Sequence, residues 1–177
     1  MSTSPALEVV DVHVDPVSAL LTDVSAGIGA DAMNAAMCRG FGRLMCYAQR
    51  AGLSIIGHPR VLHASRVHAS RVQTPTTPTL ASVTLALPVV APVRAIAQTP
   101  SIRLADLSGM QAWRFSHCGS CQGLAATYAL IVEWLVSRGV LASVAEWGRL
   151  TPVWEEYVCD PASTLMDEVL AFIYVPR

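Results

Sequence analysis

The sequence predicts an α+β protein made of two pseudo-symmetric ββαββ repeats with a central cleft between them. Three observations carry this. Short apolar runs with strand-like alternation occur in pairs on either side of two longer segments with helical spacing. Each longer segment is stopped by a glycine, Gly52 in the first half and Gly139 in the second. Residues also match across the halves: Tyr47-Ala48 before Gly52 corresponds to Trp134-Leu135 before Gly139, Pro59 to Pro152, and Leu87-Pro88 to Val175-Pro176. An internal duplication of this kind sets two like units around a cleft.

In chain order, residues 7–14 alternate well enough for a strand, and Asp15-Pro16 breaks it before a second strand over 17–24. Gly27 and Gly29 mark a turn. Asp31 is a natural cap for a helix to Ala51, because Met33, Met37, Phe41, Leu44, Met45 and Ala48 recur at helical spacing. Short strands are expected at 59–63 and 82–89. Between them, residues 64–79 read as a loop, with His63-Ala-Ser-Arg-Val67 duplicated as His68-Ala-Ser-Arg-Val72 ahead of a Thr/Pro run. Residues 7–89 form the first repeat and 90–101 a Pro/Ala linker. In the second repeat, 102–177, strands are expected at 102–107, 111–117, 150–158 and 169–175, with a helix from about Cys121 to Arg138.

Composition narrows the function classes. The chain is 53% hydrophobic and 14% charged, with a net charge of −1, so no electrostatic case exists for a nucleic-acid or anionic-membrane partner. Every basic residue is arginine, which reads as coding bias and leaves basic surface sparse. The start of the chain lacks the pattern of a signal peptide. The most apolar stretch, 80–93, is interrupted by Pro88 and Pro92 and is too short for a bilayer, which needs ~20 residues. Five cysteines without framework spacing suit a reducing compartment, so a cytoplasmic protein is expected, monomeric or homodimeric.

The chemistry concentrates at Pro152-Val-Trp-Glu-Glu-Tyr-Val-Cys-Asp-Pro161. On a strand, Val153, Glu155 and Tyr157 share one face while Trp154, Glu156 and Val158 share the other. Each face then carries one carboxylate beside a large ring, and an acid on the core side costs several kcal/mol unless paired or solvated. Which glutamate turns inward is open at this point. The position matching Glu155 in the first half is Leu62, so the acid is placed in one half only. Aromatic residues are lopsided in the same direction. Trp113, Phe115, Trp134, Trp154, Tyr157, Phe172 and Tyr174 lie in the second half, against Phe41 and Tyr47 in the first. Such rings can form a slot for an aromatic ligand or a cation–π cage, and each singly is an ordinary core residue.

Trp134-Leu135-x-x-x-Gly139, Pro152-x-x-Glu155-x-Tyr157-x-x-Asp160-Pro161, Glu168, Ile173-Tyr-Val-Pro176 and His117-Cys-Gly119 together resemble the GyrI-like small-molecule-binding domain. That domain is also the effector-binding part of some AraC-type and multidrug-sensing regulators. The resemblance covers nearly the whole chain as the two-repeat pattern and implies an antiparallel sheet, two helices packed on it and a ligand cleft between the repeats. It places the family's pocket glutamate at Glu155. No DNA-binding helix pair precedes Leu7, and Phe172 stands where the family often has Asp, so a stand-alone form is expected.

The expected function is capture of a bulky aromatic, drug-like molecule, for protection or self-resistance against a genotoxic natural product. Glu155 and Tyr157 are the polar candidates, and Trp113, Phe115, Trp134, Trp154, Phe172 and Tyr174 the wall residues. Two alternatives stand beside it. One is a hydrolase in which Glu155 activates water to open a strained ring such as a cyclopropane, and the other a sensing module that docks on a regulatory partner. No cofactor or metal is expected. Cys118-Gly-Ser-Cys121 has half-zinc or redox spacing without a second cysteine pair, so it reads as coincidence. His58, His63 and His68 read as part of a surface loop, and the methionines of the first helix as adaptable core.

Overall fold

The computed structural model describes residues 7–27, 30–63, 81–90, 99–159 and 169–177. Its elements follow the expected order: β1 (Val9–Val14), β2 (Val17–Ala26), α1 (Ala30–Arg50), β3 (Arg60–His63), β4 (Ala81–Pro88), β5 (Arg103–Leu107), β6 (Met110–Cys118), α2 (Leu124–Ser137), β7 (Val153–Tyr157) and β8 (Val169–Pro176). Three departures are local. Asp31 lies in the first turn of α1, not before it, where its charge still suits the helix dipole. A 3-10 turn over Cys121–Gly123 precedes α2. A second one, Val144–Arg149, ends just before the expected strand at 150–158, and that strand is shorter, running Val153–Tyr157 after the cis Thr151–Pro152 bond. The loop at 64–79, most of the Pro/Ala linker, Asp160-Pro161 and Glu168 lie outside the described residues.

The eight strands form one antiparallel sheet in the order β1-β6-β8-β7-β3-β4-β2-β5. Numbered within each half, that order reads 1-2-4-3-3-4-2-1. Each half's first strand crosses over to pair with the other half's second strand, β1 with β6 and β5 with β2. The centre of the sheet is the β3–β7 pair, with Val61 opposite Glu155 and Leu62 opposite Trp154.

Both helices cover the same face. The stripe Met33, Ala36, Leu44 and Ala48 of α1 packs with Leu20, Val24, Leu85 and Leu87. Leu124, Tyr128, Ile131 and Leu135 of α2 pack with Phe115, Val153, Ile173 and Val175. These strand residues alternate with the opposite set, Leu21, Ala86, Ala112, Trp154 and Tyr174, which faces away from the helices. Among the described residues no helix lies on that second face, and no helix is long and apolar enough to cross a membrane.

Of two helix-interior glycines in α1, one sets the seat of the helix. A Cβ on Gly40 would collide with Leu85 Cδ1 and lie 2.9 Å from Val24 Cγ1, so glycine there lets the helix backbone rest on the sheet. Gly42 has nothing within 4 Å of where its Cβ would sit. A glycine inside a helix costs ~1 kcal/mol relative to alanine, and no packing contact requires this one. Gly40→Val is therefore expected to lower stability by about 1–3 kcal/mol through overpacking against the fully buried Leu85. Urea denaturation checks this, and an unchanged midpoint would mean that α1 is not seated through Gly40.

Candidate functional site

Of the two adjacent glutamates, Glu155 turns toward the helices. Its residue is 2% exposed, at the middle of the sheet. Three side chains from three elements reach it. The His63 ring, at the end of β3, places Nε2 2.9 Å from Oε1. Tyr128 on α2 donates its hydroxyl to the same oxygen at 2.8 Å, and Tyr157, two residues along β7, donates to Oε2 at 2.7 Å. The strand period explains two of these contacts. Tyr157 is on Glu155's face by alternation, and His63 is a diagonal cross-strand neighbour on that face. Tyr128 arrives because it belongs to the inward stripe of α2.

Burial by itself pushes the Glu155 carboxyl up. The coulombic attraction to His63, the His63 hydrogen bond, and those of Tyr157 and Tyr128 outweigh it and hold the group down at about 2. The site is thus built around a carboxylate kept ionised out of water. The Tyr128 ring meets His63 edge-on at 6.3 Å and Trp147 at 5.9 Å, so Trp147 closes the cluster from the second 3-10 turn.

The remaining candidate residues divide between two faces. Trp113, Phe115 and Trp134 are on the Glu155 side, packed edge to face at 5.6 Å (Trp113–Trp134) and 5.5 Å (Phe115–Trp134). They belong to the α2 core together with Ile131 and Val175. Trp154, Phe172 and Tyr174 lie on the helix-free face and do not meet Glu155. There Trp154 stacks on Tyr174 at 5.3 Å, with Arg60 over Trp154 at 5.7 Å and Arg114 over Phe172 at 4.5 Å. Arg60 Nε also stands 3.2 Å from the Glu156 carboxylate. Burial, helped by Glu156, pushes the Tyr174 phenol up. The wall set drawn from the sequence is thus two sets separated by the thickness of a sheet. Leu62, matched to Glu155 by the Pro59/Pro152 alignment, also faces away. Val61 is the residue paired with the acid.

Two site residues escaped the sequence reading, and one was misplaced by it. Tyr128 and Trp147 were not singled out, although the inward spacing 124, 128, 131, 135 points to Tyr128. His63, read as part of a surface loop with His58 and His68, is 5% exposed and bonded to Glu155. It is the last residue of the strand expected at 59–63, and the strand alternation that buries Val61 turns its ring inward as well.

His117 is also buried, and its role is structural. Nδ1 pairs with Thr127 Oγ1 at 2.8 Å and Nε2 with the Ser120 carbonyl at 3.0 Å, tying the start of α2 to β6. Cys118 and Cys159 are exposed free thiols. Among the described residues no three His, Cys, Asp or Glu side chains group as metal ligands.

An eight-stranded antiparallel sheet with two helices on one face is the architecture that the GyrI-like resemblance implies. Comparison with solved structures agrees at the level of fold. The chain is similar to the C-terminal domain of EcmrR, with a TM-score of 0.68, 12% identity and 97% of each chain covered. Against EcmrR in its complex with DNA the TM-score is 0.69 at 11% identity. There the match takes in 96% of this chain but 57% of the EcmrR chain, so this chain spans little more than half of that one. A hydrolase encoded by lin2189 from Listeria innocua matches with a TM-score of 0.56, 10% identity, and 96% and 91% of the two chains. No family model and no curated protein matches the sequence.

The depressed acidity of Glu155 has a measurable consequence. Its folded value lies below the ordinary 4.5, so the stabilisation is fully present above pH ~4.5 and is lost as the pH falls toward 2. Urea unfolding of the wild type and Glu155→Gln is expected to show a gap near neutral pH that shrinks by on the order of 3 kcal/mol between pH 5 and pH 2. A gap that stays constant across that range would mean the carboxyl is not held down.

Proposed function

We propose that this domain captures a bulky, planar, aromatic small molecule, with a cation favoured, in a cleft between two repeats at 7–89 and 102–177, and that Glu155 is its polar anchor. One observation carries the reading: a carboxyl group is buried at the central strand pair among two tyrosines, a histidine and a tryptophan. A core needs no acid there. Withdrawing a carboxylate from water costs several kcal/mol, and an apolar side chain of like volume fills such a space as well. A charge kept ionised in an aromatic surround is instead suited to a lipophilic cation, which gains both the Coulomb attraction and the faces of the rings. The palindromic strand order supports the repeat reading, because it is what two copies of one ββαββ unit produce when their first strands are exchanged.

Entry of a ligand requires the cover to part. Tyr128 and the Trp147 turn close over the acid, so the ligand replaces the Tyr128 hydrogen bond and moves the start of α2. Trp113, Phe115 and Trp134 then form the wall on the α2 side. A role in protection against a genotoxic aromatic compound fits such a site. Sequestration is favoured over hydrolysis because a carboxylate titrating near 2 is a poor proton acceptor at neutral pH.

Ethidium, a fluorescent planar cation, is a suitable probe. Saturable binding to the wild type is expected, with at least a tenfold loss of affinity in Glu155→Gln, where the charge is removed and the shape kept. Equal affinity in the two proteins would overturn the anchoring role.

A further inference from the structure

We infer that the flank of α1 forms a second, separate binding site, for a phosphorylated organic anion of nucleotide size. An open groove of about 880 Å³ runs between α1, the outer end of β2 and residues 99–102 that lead into the edge strand β5. Its volume falls within the ~300–1,000 Å³ usual for small-molecule sites. Arg39, Arg43 and Arg50 line it, with Ser101 and Ile102 facing them from the far wall.

The three arginines stand apart from the others. Elsewhere among the described residues Arg60, Arg103, Arg149 and Arg177 meet carboxylates, and Arg114 and Arg138 lie over aromatic rings. No described carboxylate lies within ion-pair range of Arg39, Arg43 or Arg50, and all three residues are exposed. The one acid in the groove wall, Asp23, is already engaged. Arg103 reaches it at 2.9 and 3.3 Å and Thr84 donates to it at 2.6 Å. The groove therefore carries uncompensated positive charge in a chain whose net charge is −1.

Gly42 is the second and independent observation. It lines the groove between Arg39 and Arg43, it weakens the helix, and among the described residues nothing lies within 4 Å of its Cβ position. Gly40, by contrast, is explained by contact with the sheet. An exposed glycine in the groove wall lets an occupant approach the helix backbone.

The spacing indicates what that occupant looks like. Arg39 and Arg43 are one helical turn apart, ~6 Å, and Arg50 lies ~10 Å further along the axis. Guanidinium forks one turn apart suit adjacent phosphate groups, for which arginine is the preferred partner. The apolar floor of Val24, Ala36 and Ile102 suits an organic body attached to them.

Isothermal titration of the full chain at moderate salt, with ATP, inorganic pyrophosphate and adenosine as probes, tests the inference. ATP and pyrophosphate are expected to bind saturably at one site per chain, and adenosine not to bind. Arg39→Ala with Arg43→Ala is expected to weaken ATP at least tenfold, and Gly42→Leu to abolish binding by filling the groove. Gly42→Ala is expected to raise the melting temperature, which shows that the position tolerates a side chain. Glu155→Gln is expected to leave ATP affinity unchanged, so that failure of the inner site and failure of this one are told apart. Absence of saturable heat with both phosphate probes, or affinity unaltered by the arginine substitutions, overturns the inference.

Discussion

One buried carboxylate constrains how the two halves of this protein meet. Glu155 sits on a central strand of the sheet, where water is excluded, and remains ionised only because His63, Tyr128 and Tyr157 all point at it. These partners come from opposite halves of the chain and from both layers. His63 ends the first half's third strand, Tyr157 lies in the second half, and Tyr128 descends from the helix above. Removing any one donor leaves the charge less compensated, at a cost of about 1–3 kcal/mol for each unsatisfied bond. The interaction thus fixes the register of β3 on β7 and the height of α2 over them together.

The sheet makes this convergence possible by the way its strands are exchanged. Because β1 pairs with β6 and β5 with β2, neither half completes its own edge, and the third strands are left to meet in the middle. Side chains one period apart on two antiparallel neighbours then face each other across the junction. An acid at that junction is approached from both halves, whereas an acid on an outer strand would be reached from one.

Much of this was legible in the sequence, and the parts that were not share a physical cause. Strand and helix order follow from periodicity, and the glycines at 52 and 139 fix both helix ends, each with positive φ. The inward turn of Glu155 rather than Glu156 was undecidable, because alternation gives two faces without saying which one the helices cover. For the same reason Trp154, Phe172 and Tyr174 were grouped with Trp113, Phe115 and Trp134. Five of the six are large rings on neighbouring strands, with Trp134 on α2, and only the register, Trp154 opposite Tyr174 and Phe115 opposite Ile173, sorts those five. His63 was hidden by its setting, since the repeated Ala-Ser-Arg that follows it suggested one continuous loop. Tyr128 was hidden by α2 itself, whose segment is apolar on nearly every side, so that no stripe stands out by contrast.

The two faces of the sheet solve the problem of burying rings differently. On the helix side, Trp134 of α2 packs edge to face on Trp113 and Phe115, with Arg138 over Trp134 and Arg177 over Trp113 at the rim. On the other side no described helix offers cover, and Trp154 and Tyr174 are nevertheless buried. Their cover is supplied by each other and by long arginine side chains, Arg60 across Trp154 and Arg114 across Phe172, with Glu156 fixing Arg60 in place. The guanidinium groups themselves lie over the rings, and the Nε atoms of both arginines are buried there. That arrangement accounts for the adjacent acids in Val153-Trp-Glu-Glu-Tyr157. Glu155 serves the buried cluster on one face, and Glu156 holds the cation that roofs the other.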